Sequence, residues 1–321
     1  MLSVFLEITR ACNLDCQFCS NSSCQPLQRE LSISELEKLL GELSELDVRD
    51  LRLYGGEPFL RPDVFKITAT AISNEMSVSI YSNGTILGKS ILDEIVSQKV
   101  RKLFLSVDSS NATTHDQIRG RTGAFEKVVR NIKTLVSNGV KVDVLVTICK
   151  LNYGDIRETY QFLHDLGVSD IKVNFVSKVG KAIEKWDTLS LTPPEIRECV
   201  HVINEMHLQF FGKSPVRKKC QAGTGELFIA ANGDVFPCAL FLEPKYKAGN
   251  VREKSISEIW KNPEGLMSSI RQTVENESYC VACDKKNVCA GGCRARAAVM
   301  HEGDLSAPDI GSCILHKEIL K

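Results

Sequence analysis

Residues 2–19 read LSVFLEITRACNLDCQFC, an apolar and β-branched run followed within a few residues by three cysteines. The run 2–8 predicts a β-strand, because hydrophobic and β-branched residues dominate it. Cys12, Cys16 and Cys19 follow with the spacing C-x3-C-x2-C, so one short loop carries three thiols. Three thiolates on one loop can hold three irons of a cubane iron–sulfur cluster and leave the fourth iron open. The alternatives are a three-cysteine zinc site with another ligand, or packed free thiols.

Five further strand-like runs alternate with amphipathic helical patterns as far as about residue 210. The predicted strands are 51–54, 78–81, 103–107, 140–148 and 171–176. The predicted helices are 34–46, capped by Ser34, then 63–73, 91–98, 125–138 and 155–166. Regular alternation of strands and helices implies an α/β fold with a parallel sheet and right-handed crossovers. Six strands are too few for a closed eight-stranded barrel, which leaves a partial (β/α)6 barrel or an open doubly wound sheet.

The composition excludes several classes of partner. The 321 residues include 40 Lys and Arg against 40 Asp and Glu, so no net charge indicates binding to nucleic acid or to an anionic membrane. No apolar run approaches the ~18 residues of a membrane span. The first residues lack the basic region and the cleavage site of a signal peptide, which indicates a soluble, cytoplasmic protein.

The 13 cysteines are unevenly distributed along the chain. The cytosol keeps thiols reduced and the number is odd, so metal binding or catalysis explains them better than a disulfide framework. Four of them lie within residues 12–24, and seven occupy the last third as Cys220, Cys238, Cys280, Cys283, Cys289, Cys293 and Cys313. Thiols grouped near both ends predict two domains, 1–211 and 212–321, joined by a linker at 212–215, each with a metal site.

The second predicted domain is small. A β-hairpin is predicted from 227–231 and 234–236 across Asn232-Gly233, with short helices among the cysteines that follow. Its apolar periodicity is too weak for this segment to fold by packing alone, so metal clusters are expected to supply cross-links. A zinc ribbon built from the four cysteines between 280 and 293 is the alternative, but it leaves the other three cysteines without a role.

Two motifs follow the first two predicted strands. The first is C-x3-C-x-aromatic-C, with Phe18 as its aromatic residue, and the second is Gly55-Gly56-Glu57-Pro58. Together they resemble the motifs of the radical S-adenosylmethionine (SAM) enzymes. The resemblance implies that SAM chelates the open iron through its amino and carboxylate groups, and that one electron from the cluster cleaves SAM to a 5′-deoxyadenosyl radical. That radical removes a hydrogen atom from an unactivated carbon, which no protein side chain could do.

The resemblance also implies roles in binding SAM. The two glycines let the backbone approach the methionine ammonium group, and Glu57 can neutralise that group. Phe18 is placed to cover the adenine, while Ser106 and Arg119 resemble positions that hold the ribose and the carboxylate. As alternatives, the Gly-Gly-Glu-Pro run is simply a turn into the next helix, and Arg119 forms a surface ion pair. By location at strand ends alone, further candidates are Asn83 and Thr147.

The seven cysteines from 220 to 313 resemble the SPASM extension that a subset of radical SAM enzymes carries. The connectivity in that family implies one auxiliary 4Fe-4S cluster on Cys280, Cys283, Cys289 and Cys313. It implies a second cluster on Cys220, Cys238 and Cys293, whose fourth iron has no cysteine. That iron could take Glu226 or Asp234, hold water, or stay open for substrate. The implied cofactors are therefore SAM and three 4Fe-4S clusters.

Auxiliary clusters suit a net oxidation, because a substrate radical must lose an electron after its hydrogen has left. The resemblance implies an oxidoreductase that modifies a ribosomally made peptide or a natural product, with a flavodoxin- or ferredoxin-type electron donor. The alternative is a dehydrogenase or epimerase of sugars or aminocyclitols in antibiotic biosynthesis. A more distant alternative is a non-catalytic iron–sulfur or zinc scaffold for electron transfer, which would need neither the Gly-Gly-Glu-Pro motif nor an open N-terminal cluster.

Overall fold

The computed structural model describes residues 2–98, 100–213, 215, 219–276, 280, 283–284 and 289–319. Parts of the expected linker at 212–215 and of the cysteine segment 280–289 lie outside the described residues. The described chain forms one nine-stranded sheet with helices packed along it. The first six strands are β1 (Ser3–Thr9), β2 (Asp50–Gly55), β3 (Ser77–Ser82), β4 (Lys102–Ser106), β5 (Val142–Ile148) and β6 (Asp170–Phe175).

Strand order decides between the two predicted architectures. Strands β6, β5, β4, β3, β2 and β1 lie side by side in that order, and each neighbouring pair is parallel. A doubly wound sheet reverses its order at a switch point, whereas this order does not reverse. The strands therefore form the partial (β/α)6 barrel, and the open doubly wound alternative is excluded.

Helices connect the strands and continue into the C-terminal region. They are α1 (Ile33–Glu45), α2 (Val64–Ser73), α3 (Lys89–Ser97), α4 (Ala112–Arg119), α5 (Ala124–Ser137), α6 (Ile156–Asp165), α7 (Trp186–Leu189), α8 (Pro193–Phe211), α9 (Ile256–Lys261), α10 (Met267–Asn276), α11 (Arg294–Met300) and α12 (Ile310–Ile319). The strand and helix boundaries predicted for residues 2–176 agree with the structure to within two residues, with β5 beginning at Val142 instead of residue 140.

Two local predictions differ from the structure. Helix α1 is capped by Ser32 and not by Ser34, because Ser32 Oγ accepts the amide of Glu35 at 3.3 Å while the Glu35 carboxylate accepts the Ser32 amide at 2.8 Å. Helix α4 is absent from the prediction, since its sequence ATTHDQIR has almost no apolar periodicity. It begins instead at a cap, where Asn111 Oδ1 accepts two first-turn amides at 2.9 and 3.1 Å.

Side chains of the barrel strands alternate between two environments. On β1, Leu6 and Ile8 are at most 1% exposed and belong to the core under the helices. The alternate positions face the barrel interior, where the rings of Tyr81 and Phe104 stack with centroids 4.3 Å apart and Phe5 lies 5.5 Å from Tyr81. We call these interior rings the aromatic belt, which comprises Phe5, Tyr54, Tyr81 and Phe104.

The C-terminal region continues the sheet of the barrel. Strand β7 (Glu226–Ile229) pairs in parallel with β1, β8 (Asp234–Phe236) pairs antiparallel with β7, and β9 (Gly249–Asn250) pairs with β8. The predicted hairpin is therefore present, and Gly233 in its turn has a φ of +89° that favours glycine. The sequence did not indicate that the hairpin joins β1. The apolar side chains of β7 are fully buried because both faces of the strand are covered.

Candidate active site

The loop with the first three cysteines lies at the carboxyl end of β1 and is held by backbone hydrogen bonds. The amides of Asp15 and Gln17 donate to the carbonyls of Arg119 and Ile118 at the end of α4, at 3.1 and 2.9 Å. The amide of Cys12 donates to the carbonyl of Cys24 at 3.3 Å, which closes the loop on itself. The unpredicted helix α4 is therefore one wall of the cysteine loop.

The Gly-Gly-Glu-Pro motif packs directly under this loop. The amides of Gly56 and Glu57 donate to the carbonyls of Thr9 and Ala11, both at 2.8 Å. A Cβ atom at Gly56 would lie 2.2 Å from the Ala11 carbonyl oxygen, so only glycine allows this approach. The end of β2 thus positions the loop that carries Cys12. The alternative interpretation of the motif, as simply a turn into the next helix, does not account for this contact.

The thiols of the loop are set up to bind a metal rather than to ionise by themselves. Burial raises the pKa of the Cys12 thiol to about 12 and also raises that of Cys16. The amides of Leu14 and Ser23 donate to the sulfurs of Cys12 and Cys19 at 3.5 and 3.3 Å. Amide donors of this kind stabilise cluster sulfurs, and metal binding would displace the thiol protons. The donor set fits an iron–sulfur cluster.

Arg119 lies in a buried network and not in a surface ion pair. Its side chain is 9% exposed, its Nε lies 2.7 Å from Asp108 Oδ2, and its Nη1 lies 3.7 Å from Cys16 Sγ. Asp108 is fully buried, and its Oδ1 accepts the backbone amide of Thr147 at 3.0 Å. The guanidinium also lies 5.6 Å from the ring of Phe18. Arg119 therefore connects the cysteine loop to the ends of β4 and β5.

Glu57 lies where several protein groups donate hydrogen bonds to its carboxylate. Its side chain is fully buried, and its carboxylate accepts hydrogen bonds from Ser82 Oγ at 2.9 Å, the Asn83 amide at 2.8 Å and the Phe59 amide at 3.2 Å. Burial raises its pKa to about 7. These contacts tie the end of β2 to the end of β3, so Glu57 supports the two glycines from beneath.

The remaining expected SAM contacts share one cavity with the cysteine loop. Ser106 ends β4, Asn83 follows β3 and Thr147 lies near the end of β5. These three residues line the same cavity as Phe18 and the two glycines of the motif. Strand ends of a parallel barrel form its active-site face, so these positions share the face that carries the cysteine loop, and Glu57 lies beneath them.

The cavity runs the length of the barrel interior and has a volume of about 1110 Å³. At one end it is lined by Cys12, Cys16 and Cys19, and in its middle by the aromatic belt. At the other end it is lined by auxiliary cysteines, namely Cys220, Cys238, Cys289 and Cys293. One continuous space therefore connects the two groups of thiols.

Charge effects connect several of the described auxiliary cysteines with one another. The charges of Cys293 and Cys220 raise the pKa of Cys238, and the charge of Cys293 raises that of Cys220, after the larger effect of burial. Burial raises the pKa of Cys289 to about 11, helped by the charges of three further cysteines, Cys313, Cys280 and Cys283. These mutual effects are in keeping with the one set of three and one set of four that the resemblance implies.

Topology puts Cys220 and Cys238 at the end of the barrel opposite the first loop. Cys12 follows the carboxyl end of β1, whereas Cys220 precedes β7, which runs parallel to β1. Cys238 follows β8, which runs antiparallel, so it returns to the same end as Cys220. Strand β1 has 7 residues, which at ~3.3 Å per residue separates the two ends by about 20 Å.

Sequence reasoning missed several side chains that hold the auxiliary cysteines. Arg294 is 3% exposed and donates to the carbonyls of Leu305 and Ala307 at 3.0 and 2.9 Å. Asp309 accepts the amide of Cys293 at 3.0 Å and forms an ion pair with Arg296. The spacing of charged residues around the cysteines gave no signal for these contacts, because they join positions that are far apart in the chain.

Among the described residues, no three His, Cys, Asp or Glu side chains are grouped as a metal-ion site. Every helix within the described ranges is too short or too polar to cross a bilayer.

Family models match two parts of the chain. One describes the radical SAM superfamily and matches residues 6–163. The other, SPASM, describes an iron–sulfur cluster-binding domain and matches residues 220–284. An AdoMet-dependent heme synthase of Methanosarcina barkeri is 30% identical over an alignment that covers 91% of this chain and 90% of the relative. This chain belongs to the radical SAM superfamily.

The radical SAM enzyme carries its SPASM region at the C-terminal side, and its cofactors are SAM and iron–sulfur clusters. It is similar to the mycofactocin maturase MftC of Mycolicibacterium smegmatis, with 26% identity over 90% of this chain and 77% of the relative. Among solved structures, anSMEcpe with bound AdoMet and a Cp18Cys peptide has the same fold, with a TM-score of 0.79 and 18% identity. That match covers 99% of this chain and 95% of the solved one.

Proposed function

We propose that this enzyme is an oxidoreductase that removes a hydrogen atom from a C–H bond of a peptide and passes the remaining electron to auxiliary clusters. The observation that carries the proposal is the cavity between the two groups of cysteines. A substrate bound at the aromatic belt would lie between the site where its radical forms and the site where that radical is oxidised.

We assign three 4Fe-4S clusters to the ten cysteines at the ends of the cavity. Cys12, Cys16 and Cys19 would hold the SAM-binding cluster, and the auxiliary sets of four and three would hold the others. When bound, SAM and its reduced cluster together supply a 5′-deoxyadenosyl radical that can take hydrogen from an unactivated carbon. The reducing electron would come from a flavodoxin- or ferredoxin-type donor.

The protein's own residues orient SAM and exclude water. We assign Phe18 to the adenine and Ser106 to the ribose, since both line the cavity beside the cysteine loop. Arg119 is held by Asp108 and approaches Cys16, so it is placed to neutralise charge at the loop. Glu57 acts as a positioning residue, because it holds the end of β2 against β3. The aromatic belt shields the adjoining part of the barrel cavity from water.

A peptide substrate is supported by two relatives. Mycofactocin maturase MftC aligns over 90% of this chain, and the neighbour anSMEcpe holds a peptide in its solved structure. A second candidate is a reaction that forms heme, since the AdoMet-dependent heme synthase is 30% identical and aligns over 90% of its length. Peptide modification and heme formation would use the same radical-forming end of the barrel. They would differ in which substrate binds at the aromatic belt.

The cluster assignment is tested on protein reconstituted without oxygen. Iron and sulfide analysis should give about twelve irons per chain, and dithionite should drive formation of 5′-deoxyadenosine from SAM. Zinc in place of iron, or no SAM cleavage by protein that holds its iron, would contradict the assignment.

The substrate is tested by mass spectrometry with two panels. One contains short cysteine-containing peptides encoded beside the gene, each with deuterium at candidate carbons, and the other contains porphyrin precursors of heme. Transfer of deuterium into 5′-deoxyadenosine together with a mass change in a peptide supports peptide modification. Conversion of porphyrins alone would replace it with the heme-forming reaction, and a deuterium-free 5′-deoxyadenosine with no mass change in either panel would contradict both candidates.

A further inference from the structure

The auxiliary set of three thiols is assembled around a tight turn that also carries a carboxylate. The carbonyl of Gln221, the neighbour of Cys220, accepts the amides of Thr224, Gly225 and Glu226 at 3.1, 3.0 and 2.9 Å. This turn brings the start of β7 back beside Cys220. Glu226 and Cys220 are therefore neighbours in space, although five residues separate them in the chain.

The third member of the group is brought in by the hairpin. In the antiparallel pairing of β7 and β8, Phe228 lies opposite Phe236, and continuing this register by two residues leads to Glu226 and Cys238. The amide of Gly223 also donates to the carbonyl of Pro237 at 3.0 Å, which holds the turn against the residue before Cys238. Backbone geometry thus places the carboxylate between two of the three thiols.

The Glu226 side chain faces the cavity. Glu226 pairs with Ser3 in the parallel register and lines the cavity with Cys220, Cys238 and Cys293. Its side chain is 25% exposed. Arg52 Nη1 forms an ion pair with Glu226 Oε2 at 3.7 Å, which is longer than a hydrogen bond, so the carboxylate can bind a metal through its other oxygen or by exchanging this contact.

Asp234, the other carboxylate near these cysteines in sequence, lies at the wrong end of the hairpin. It begins β8 next to the turn, and it is bound by Lys247 Nζ at 2.6 Å and by Asn250 Nδ2 at 2.8 Å. Cys238 lies at the open end of the same hairpin. The sequence alone offers Glu226 and Asp234 as equal candidates for the fourth ligand. The tertiary structure favours Glu226.

We propose that the Glu226 carboxylate is the fourth protein ligand of the iron–sulfur cluster held by Cys220, Cys238 and Cys293. The proposal rests on the proposed function, which puts a cluster on these three cysteines. Carboxylate oxygen is an established ligand of iron, and the turn keeps it next to the thiols without a change of backbone. The cluster is then closed by protein ligands, so its task is to accept an electron and not to bind substrate.

The test uses imidazole as a probe of an open iron. The protein carries Cys12→Ala, Cys16→Ala and Cys19→Ala, which removes the SAM-binding cluster and its own open iron. In this background, imidazole should leave the EPR spectrum of the reduced auxiliary clusters unchanged. Adding Glu226→Ala should make the spectrum shift with imidazole, and Glu226→Cys should abolish the shift again. Asp234→Asn is the matched control and should behave as the background does.

Iron analysis separates failure of this inference from failure of the proposed function. The background should hold about eight irons, and about four or fewer would mean that the three-cysteine cluster itself is absent. With about eight irons present, a shift in the background as large as that of Glu226→Ala would show an open or water-bound iron and overturn the proposal. A Glu226→Ala spectrum identical to the background with and without imidazole would also overturn it. If Glu226→Ala loses about four irons while Glu226→Cys keeps them, ligation is supported directly.

Discussion

The first cysteine loop and the auxiliary cysteines are held by different kinds of contact. Backbone hydrogen bonds from the ends of β1, β2 and α4 hold the loop, and Gly56 packs against it at a distance that excludes any side chain. The described segments around the auxiliary cysteines have backbone hydrogen bonds as well, and they are also fastened by side chains, such as Asp309 on the Cys293 amide and Arg294 on the carbonyls of Leu305 and Ala307.

The barrel scaffold therefore builds the first site, whereas metal binding is expected to complete the structure of the auxiliary site. The first loop belongs to a barrel with a large apolar core, so its shape should persist without a cluster. The core of the C-terminal region is smaller, and several of its cysteines take part in it as packing residues. Ligand loss should therefore affect chemistry at the first site, and both chemistry and local stability at the second.

The largest expected effect comes from removing the first site. Replacing Cys12, Cys16 and Cys19 together by Ala should abolish 5′-deoxyadenosine formation under dithionite, because these residues supply the protein ligands of the SAM-binding cluster. The barrel should stay folded and about eight irons should remain. Chromatographic detection of 5′-deoxyadenosine, with circular dichroism and iron analysis on the same sample, measures all three. SAM cleavage at the rate of the unaltered enzyme would contradict the assignment.

Removing an auxiliary ligand should separate two activities. In Cys313→Ala, SAM cleavage should continue within about twofold, while product formation should fall below detection, because radical formation and radical oxidation occur at opposite ends of the cavity. Parallel assays of 5′-deoxyadenosine and of product give the two rates, and soluble yield and residual iron must accompany them. Product formation at the full rate in a folded variant would show that this cluster has a structural role only.

A milder test displaces the first loop without touching a ligand. Gly56→Ala would place its Cβ 2.2 Å from the Ala11 carbonyl oxygen, so the loop must shift. We expect SAM cleavage to fall by tenfold or more and the free energy of unfolding to drop by about 1–3 kcal/mol. Gly41→Ala is the control, since nothing lies within 4 Å of its Cβ in helix α1 and the substitution should stabilise the protein by ~1 kcal/mol. Equal SAM cleavage and equal unfolding free energy in the two variants would argue against a loop whose shape depends on its contact with Gly56.

The smallest expected effect is a pH dependence at the barrel end. His115 in α4 is 1% exposed and its Nδ1 accepts the Asp108 amide at 3.2 Å, and burial lowers its pKa from 6.5 to about 3. Below pH 6.5 the unfolded chain binds a proton there and the native one does not, so the contribution of His115 to stability falls as the pH falls. Between pH 8 and 5.5 this contribution should fall by about 1.4 kcal/mol, while the raised pKa of Glu57 acts in the opposite direction.

Urea unfolding of the cluster-free protein and of His115→Asn at both pH values isolates this contribution as the difference between the two proteins. His115→Asn keeps an acceptor near the Nδ1 position but does not titrate, so the unaltered protein should lose about 1.4 kcal/mol relative to this variant between pH 8 and 5.5. His164→Asn, at an exposed position of α6, is the control and should retain the full dependence. An equal change with pH in His115→Asn and the unaltered protein would exclude His115 as the source.

Local patterns predicted most of the barrel because each strand and most helices carry their own periodicity. Helix α4 was missed since capping by Asn111, and not an apolar face, starts it. Joining of β7 to β1 was missed because a short apolar strand does not show in its sequence which neighbour it pairs with. The cysteine sets were predicted from resemblance to a family, and they stay a prediction that the iron analysis tests.

The sequence by itself determined the strands, the cysteine spacings and the Gly-Gly-Glu-Pro motif, since these depend on residues that are close together in the chain. Only the tertiary structure decided that Glu57 supports the end of β3, that Arg119 pairs with Asp108, and that Glu226 lies beside Cys238 while Asp234 does not. Each of those contacts joins segments whose approach depends on how the strands are ordered, and strand order follows from packing the whole sheet and not from local preference.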